Sequence, residues 1–455
     1  MAAAQQPEVA AVPPMGWNSW DAYGLTITEP QFRDNVEVLK AKLLPYGWRY
    51  AVIDEGWYFE NPQDRSTPEK LHYAIDAFGR YVPVPERFPS AAKPGGGPAA
   101  EGQVFPGAKL AATIETTSFA ALGEWVHAQG LKFGIHIVRG IPRASVERNL
   151  TIEGSSFHVG DAADRTDACP WDPTNWGVKD NAAGQAWYDS LLRQYAAWGV
   201  DLIKVDCIAD HPYKEDEILM IRRAIDKAGR PMVLSLSPGP TALDHAKEVG
   251  ELANMWRISN DLWDVWDPAG KDFPQGLKGQ FARTAAWAKY ARPGNWPDAD
   301  MLPLGELRPA AGWDAPRATR LKPEEQQTMV TLWAMARSPL IVGANLTLLD
   351  DATLKLLTNR EAIAIDQTAM ESSEVLHDGS SIVWRARLPD GREAVAIFNV
   401  GDVPVRVERR LADFGTGLGT KKWRVKNVWT GEEMGSRRGV SMELGPHACA
   451  LLLLR

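Results

Sequence analysis

The chain has 455 residues, of which 45% are hydrophobic and 24% charged, a composition that fits a globular protein with one large domain and a smaller one. Its formal charge of -8 argues against nucleic acid or an anionic membrane as the main partner. The 19 tryptophans are unusually many. Because indole faces stack on the apolar faces of pyranose rings, they indicate a carbohydrate ligand, with core packing as the alternative explanation.

Three cysteines, Cys169, Cys207 and Cys449, are too few for a disulfide scaffold and lack the paired spacing of a zinc site, which leaves room for one bridge. No run of about 18 apolar residues occurs, so no membrane-spanning helix is predicted. Residues 1–10 have neither the positive segment nor the apolar core of an export signal. They resemble the start of a mature periplasmic or secreted chain, and a cytoplasmic protein would begin in the same way.

Short apolar segments of strand length alternate with segments of helical spacing over most of the chain. The predicted strands are 13–20, 50–57, 131–138, 202–208, 232–239, 254–261, 293–300 and 340–343. The predicted helices are 29–44, 119–129, 184–198, 215–228, 242–249, 280–290 and 323–336. The irregular stretch 59–109 is too long for a plain connection and is predicted to be a functional loop or an insertion, and a second long excursion covers 139–181. About eight such alternations over roughly 350 residues predict a (β/α)₈ barrel, whose chemistry lies at the carboxyl ends of its strands.

From about Met370 the pattern changes to the alternation of antiparallel strands, as in 381–387, 393–398 and 405–408. This segment predicts a small β-sandwich that packs against the barrel and has no chemistry of its own. We therefore expect a flexible tail at 1–12, a catalytic barrel at 13–365 and a C-terminal β domain at 370–455.

The segment 202–208 is apolar except for Lys204, Asp206 and Cys207. A carboxylate on a buried strand is tolerated beside a lysine when both lie at the carboxyl end of the strand and face a polar cleft. An ion pair that only closes the strand is the alternative. The segment therefore marks Asp206 as a candidate catalytic carboxylate.

Polar side chains also end the neighbouring predicted strands. They are Asp54, Glu55, His136, Arg257, Asp261, Asp298 and Asp300. Several carboxylates around one cleft suit glycoside hydrolysis, in which one carboxylate attacks the anomeric carbon and another protonates the leaving oxygen. We expect Lys204 to keep Asp206 ionised as the nucleophile, and Asp261, on another strand, to hold the proton.

The sequence has no His/Cys cluster at metal spacing and no glycine-rich phosphate loop at a strand–helix junction, so we expect neither a metal nor a cofactor. Two other function classes fit the same residues less well. One is a barrel that binds carbohydrate without turnover. The other is a metal-dependent hydrolase or isomerase that uses Asp54, Glu55, His136 and Asp206.

Five segments resemble, in the same order, the motifs of glycoside hydrolase family 27, the α-galactosidase family of clan D. They are Pro14-Met-Gly-Trp-Asn-Ser-Trp20, Ile53-Asp-Glu-Gly-Trp57, Lys204-Val-Asp-Cys207, Trp256-Arg-Ile-Ser-Asn-Asp261 and Trp296-Pro-Asp-Ala-Asp-Met301. The resemblance covers residues 13 to about 345 and continues into the C-terminal domain. It implies a retaining double displacement with Asp206 as nucleophile and Asp261 as acid/base.

The resemblance also implies a set of substrate-binding residues, with a tryptophan as the sugar platform and polar groups on the hydroxyls. The set is Trp17 or Trp20, Asp54, Glu55, His136, Lys204, Ser237, Arg257 and Asp298. Asp54 and Glu55 are expected at the C4 and C6 end of the sugar, Lys204 at O3 and O4, and Arg257 at O2 and O3. A bond between Cys169 and Cys207 would hold the loop after the third strand near Asp206, with two free thiols as the alternative.

Three departures from the family pattern affect the substrate more than the chemistry. Asp54-Glu55-Gly56 stands where the family usually has two aspartates and a cysteine, and His136 stands where a tyrosine is common. Residues 235–239 replace an acidic or Cys-Glu motif. The resemblance implies release of terminal α-D-galactosyl residues from oligo- or polysaccharides. Because Glu55 reaches one methylene further than aspartate, β-L-arabinopyranosidase activity on the pentose without the exocyclic group is the alternative.

Overall fold

Eight short parallel strands form one sheet that closes on itself. The computed structural model describes residues 9–64, 70–92, 111–172, 174–271, 273–307 and 315–455. The strands are β1 (Met15–Asn18), β2 (Tyr50–Ile53), β3 (Lys132–Val138), β4 (Leu202–Asp206), β5 (Val233–Leu236), β6 (Met255–Arg257), β7 (Trp296–Asp298) and β8 (Leu340–Val342). Their order is β7-β6-β5-β4-β3-β2-β1-β8. Leu302, just after β7, bridges in parallel to Val342 of β8 and closes the ring, which confirms the predicted (β/α)₈ barrel.

Close packing between strands explains some of the sequence choices in the barrel. A Cβ atom on Gly16 of β1 would lie 2.3 Å from the carbonyl oxygen of Tyr50 on β2, so a larger residue would push the two strands apart. The eight strands are almost entirely buried, as expected for a sheet that is covered by helices on its outer face.

Each helix predicted from the sequence has a counterpart in the structure, although some of the first and last residues differ. They are α1 (Trp20–Tyr23), α2 (Glu29–Val38), α3 (Ala120–Ala128), α4 (Arg143–Glu147), α5 (Val159–Ala162), α6 (Ala182–Ala197), α7 (Glu215–Lys227), α8 (Ala246–Leu252), α9 (Leu277–Trp287), α10 (Pro323–Ala336), α11 (Asp351–Leu357) and α12 (Arg360–Thr368). The helix predicted at 242–249 begins later, as a 3₁₀ turn over Leu243–His245 and then α8. The amide of Thr241 donates to the carbonyl of Arg257, which holds that residue against β6 instead of in a helix.

The two long excursions are more ordered than the sequence predicts. The first contains a parallel pair, His72–Ile75 with Ala111–Ile114, while Gly95-Gly-Gly97 lies outside the described residues. The second contains α4, α5 and a three-stranded sheet of Ile141–Pro142, Asn175–Val178 and Ala163–Asp164. Their short, mixed elements carry too few residues for a clear hydrophobic period.

The C-terminal domain is antiparallel, as predicted, and begins at Glu371. Its strands are β9 (Glu371–Asp378), β10 (Ser381–Arg387), β11 (Glu393–Asn399), β12 (Val405–Arg410), β13 (Trp423–Asn427), β14 (Glu433–Arg437), β15 (Gly439–Leu444) and β16 (Cys449–Leu454). A six-stranded sheet of order β9-β10-β11-β16-β13-β14 faces the pair β12-β15 across a separate apolar core. The domain rests on α10, where Trp429 Nε1 donates to Thr331 Oγ1 at 2.9 Å. In the part of the chain that the structure describes, no helix is long and apolar enough to cross a membrane.

Candidate active site

A cavity of about 380 Å³ opens at the carboxyl ends of the barrel strands. Its walls contain most of the side chains that the sequence marks as functional. The lining residues are Trp20, Asp21, Asp54, Glu55, His136, Lys204, Asp206, Ser237, Asp261, Leu262, Trp263, Asp300 and Met301. Acids that are far apart in sequence therefore meet in one polar cleft, which is where a barrel places its chemistry.

Asp206 lies at the end of β4 with a side chain that is only 14% exposed. Its Oδ2 accepts a hydrogen bond from Trp171 Nε1 at 3.2 Å and lies 3.8 Å from His136 Nε2. Burial would raise the pKa of Asp206, but His136 and then Lys204 outweigh burial and lower that pKa below its usual value. Asp206 is therefore an ionised carboxylate at neutral pH, as a nucleophile must be.

Lys204 has a different partner from the one that the sequence indicates. Its Nζ lies 2.8 Å from Oδ2 of Asp54, which also accepts from Asn18 Nδ2 at 2.7 Å. Burial opposes the charges, yet the pair lowers the pKa of Asp54 and raises that of Lys204. Lys204 nevertheless lowers the pKa of Asp206 by its charge, as expected from the sequence, although its direct contact is with Asp54, which follows β2. His136, whose Nε2 lies 3.8 Å from Asp206 Oδ2, lowers that pKa more strongly.

Arg257, at the end of β6, holds two carboxylates at once. Its NH2 lies 2.6 Å from Asp300 Oδ2 and 3.1 Å from Asp261 Oδ1. Asp300 is fixed further by the backbone amide of Leu262, which donates to Oδ2 at 2.6 Å. The side chain of Asp300 is 3% exposed, whereas that of Asp261 is 42% exposed. Asp261 therefore reaches the open part of the cavity, where protons can be exchanged with solvent and substrate.

Three of the expected substrate-binding residues, Trp17, Arg257 and Asp298, do not line this cavity. Trp17 is fully buried, donates to the carbonyl of Ala344 at 2.7 Å and packs on Phe32, so it is a core residue and Trp20 is the tryptophan at the cavity. Asp298 lies deeper in the barrel, where its Oδ1 accepts from the amide of Asp300 at 2.9 Å. Residues two apart on a strand share a face, but Asp300 follows the end of β7 and has a φ of 85°, outside the strand conformation. Asp300 is the acid of this segment that lines the cavity.

Several residues of the cavity wall are not predicted as site residues from the sequence. Asp21 is the most unusual of them, because it is 1% exposed and its Oδ2 has no hydrogen-bond partner among the described residues. Burial, followed by the charge of Asp300, raises its pKa well above the usual value. An acid directly after Trp20, in an otherwise apolar segment, is the signal that could have found it. Leu262, Trp263 and Met301 carry no such signal.

Glu55 is buried in the same wall, with 6% of its surface exposed. Its backbone amide donates to Oδ1 of Asp54 at 2.9 Å, which fixes the turn directly after β2. Glu55 lines the cavity together with Asp54 and Lys204. In the part of the chain that the structure describes, no three His, Cys, Asp or Glu side chains are arranged to hold a metal ion.

Cys169 and Cys207 are joined by a disulfide, with their Cα atoms 5.9 Å apart. The bond packs on Val138 and on Trp171, which donates to the carboxylate of Asp206. On the other side, Arg139 Nε donates to the carbonyl of Cys207 at 2.6 Å. The bond thus ties the loop after β3 to the residue next to Asp206.

The disulfide makes a direct prediction for thiol titration. We expect denatured, unreduced protein to react with one equivalent of Ellman's reagent, from Cys449, and reduced protein to react with three. Cys449→Ser should lower each count by one and serves as the control. Three reactive thiols before reduction would show that the bond is absent.

Comparison with known proteins places this geometry in a family. Residues 179–368 match the model described as alpha galactosidase A, and residues 378–454 match its C-terminal beta sandwich domain. The structure of a GH27 β-L-arabinopyranosidase from Geobacillus stearothermophilus is 38% identical, covers 98% of this chain and 96% of its own, and has a TM-score of 0.85. The chain belongs to glycoside hydrolase family 27.

Other members of family 27 are similar over nearly the whole chain. A variant of the same Geobacillus enzyme, solved in complex with arabinose, is 38% identical, covers 100% of this chain and 99% of its own, and has a TM-score of 0.87. Alpha-galactosidase 2 of Arabidopsis thaliana is 25% identical over 451 residues, which cover 98% of this chain and 90% of the plant protein. As a member of family 27, this protein is a glycosidase.

Proposed function

We propose that the protein is a retaining exo-glycosidase that prefers terminal β-L-arabinopyranosyl residues and also releases α-D-galactopyranosyl residues. The observation that carries the proposal is the pairing of an ionised, buried Asp206 with a more exposed Asp261 in one cavity. One carboxylate suited to nucleophilic attack and another suited to proton exchange are the two groups that a retaining mechanism needs.

In the first step, the carboxylate of Asp206 bonds to the anomeric carbon while the bond to the leaving oxygen breaks. Asp261 donates its proton to that oxygen, so the aglycone departs as a neutral alcohol. In the second step, Asp261 takes a proton from water, which attacks the anomeric carbon and releases Asp206. Retaining enzymes separate the two carboxyl groups by roughly 5–5.5 Å, too little for an intervening water, and we expect that separation here.

Glu55 supports the pentose as the preferred sugar. β-L-Arabinopyranose has the ring and hydroxyl arrangement of α-D-galactopyranose without the exocyclic CH₂OH. The buried Glu55 side chain takes up cavity volume at the end where that group would lie. The sequence is 38% identical to the Geobacillus arabinopyranosidase and 25% identical to the Arabidopsis α-galactosidase, which also supports the preference for the pentose over galactose. The α-galactosyl activity that the sequence ranks first therefore becomes the second activity of the same site.

The test compares two p-nitrophenyl glycosides that differ only in the sugar, together with NMR of the first-formed anomer. We expect both to be hydrolysed with retention, and the β-L-arabinopyranoside to have the higher kcat/KM. Glu55→Asp should shift the ratio of the two kcat/KM values toward galactose by about 10–200-fold, the usual effect of one small group in a pocket.

Glu60→Asp is the matched control, because Glu60 is exposed outside the cavity and its shortening should leave the ratio unchanged. A ratio that does not move in Glu55→Asp would contradict the steric argument and leave His136 or residues 235–239 as the source of selectivity. If no glycoside is hydrolysed while the sugars still bind, the protein is a binding barrel instead.

A further inference from the structure

Phe273 is a large aromatic side chain in an unusual position. It follows β6 in the loop that leads to α9 and is 55% exposed, whereas Trp263 and Trp266 of the same loop are each 8% exposed. Single exposed hydrophobic side chains are common on protein surfaces, so the exposure of Phe273 is informative only together with its position. Phe273 also lines two cavities and is the residue that their linings share.

The first cavity, about 1100 Å³, leads directly away from the catalytic carboxylates and is here called the inner groove. Its lining includes the carboxylates Asp206 and Asp261 and the rings of Trp20, Trp171 and Phe273. A leaving group that departs from the anomeric carbon must pass through this space. The inner groove is thus the exit from the active site.

The second cavity, about 1050 Å³, lies on the far side of Phe273 and is here called the outer groove. Trp263, Trp266, Arg317, Arg320 and Lys322 line it. Trp263 also lines the catalytic cavity, so two residues connect the outer groove with the active site.

The walls of the outer groove are held in place by buried contacts. Asp264 is 4% exposed, binds Arg317 through both of its carboxylate oxygens and accepts from the backbone amide of Arg320 at 2.7 Å. Trp266 stacks on His447 of the C-terminal domain at 4.0 Å. A preformed wall of this kind costs little ordering entropy when a ligand binds.

We propose that the two grooves together bind an extended glycan chain, of which the catalytic cavity takes the terminal sugar and Phe273 stacks on a sugar further along. This inference rests on the proposed function, because the chain that leaves the catalytic cavity is then itself a sugar. Aromatic faces match the apolar faces of pyranose rings, and arginine and lysine side chains donate to hydroxyl oxygens. The natural substrate is accordingly a branched or linear oligosaccharide, and a simple glycoside uses only part of the site.

The experiment measures kcat/KM for an α-D-galactosyl-terminated tetrasaccharide and for p-nitrophenyl α-D-galactopyranoside, in the wild type and in Phe273→Ala. We expect the ratio of the two values to fall on the order of tenfold in the variant, mainly through KM of the tetrasaccharide. Phe273→Tyr keeps the ring and should restore the ratio. Leu348→Ala removes a side chain that is 59% exposed elsewhere and should leave the ratio unchanged.

An unchanged ratio in Phe273→Ala, with wild-type hydrolysis of the aryl glycoside intact, would overturn the glycan groove and leave the proposed function standing. If the aryl glycoside is not hydrolysed by the wild type, the proposed function itself fails. Light scattering tests whether a second copy of the chain occupies the grooves instead. A change of oligomeric state in Phe273→Ala, with an unchanged ratio of the two kcat/KM values, would make this face a contact between copies of the chain.

Discussion

Replacement of Asp206 by alanine is expected to lower kcat on the order of 10⁴-fold or more, because no other carboxylate can form the covalent intermediate. Sodium azide should restore part of the turnover by attacking the anomeric carbon from the space that the carboxylate leaves. The rescued product should be a glycosyl azide of inverted configuration. Steady-state kinetics with an activated aryl glycoside, together with NMR of the azide adduct, provide the measurement.

Asp216→Ala is the control for this experiment, since Asp216 is an exposed aspartate in the first turn of α7 and should behave as wild type. A folded Asp206→Ala protein with appreciable turnover would exclude Asp206 as the nucleophile. An inverted first product from the wild type would exclude the double displacement as a whole.

Asp261→Ala should separate substrates by the quality of their leaving groups. An acid catalyst contributes about 10²–10⁴-fold when the leaving oxygen needs a proton, and little when the leaving group is already acidic. We therefore expect a loss of that size in kcat/KM for a disaccharide and a much smaller loss for a 2,4-dinitrophenyl glycoside. The slope of log kcat/KM against leaving-group pKa should become steeper than in the wild type.

Asp267→Ala is a close control for Asp261→Ala, because Asp267 lies in the same loop and its side chain is similarly exposed, at 45% against 42%. Its loss should leave the slope unchanged. Equal losses for good and poor leaving groups in Asp261→Ala would assign Asp261 to substrate binding and leave the acid to be sought elsewhere.

The barrel could be predicted from sequence because most of its strands are short, largely buried apolar runs with a polar residue at or directly after the carboxyl end. The acids at those ends define the rim of the cavity, and eight of the expected site residues do line it. They are Trp20, Asp54, Glu55, His136, Lys204, Asp206, Ser237 and Asp261. Strand ends are visible in sequence because burial and charge change there within one or two residues.

What the sequence did not predict depends on contacts between distant segments. The choice of partner for Lys204 requires knowing that β2 and β4 bring Asp54 closer than Asp206. The hydrogen bond from Trp171 requires a loop that has no periodic pattern and is held by long-range contacts, among them its disulfide. Trp20 lines the cavity and Trp17 is buried in the core, and this difference depends on how the chain turns between β1 and α1.

The parallel bridge between Leu302 and Val342 has a consequence for how this enzyme acquires activity. Asp300 and Met301, which line the catalytic cavity, directly precede Leu302. The bridge that closes the ring of strands therefore lies at the edge of this cavity. A nascent chain that has formed seven strands still lacks one side of that cleft. Recovery of catalysis after dilution from denaturant therefore reports the insertion of β8 between β7 and β1, where Val342 bridges to Leu302 and pairs with Trp17 near the start of the chain, rather than the formation of any earlier strand.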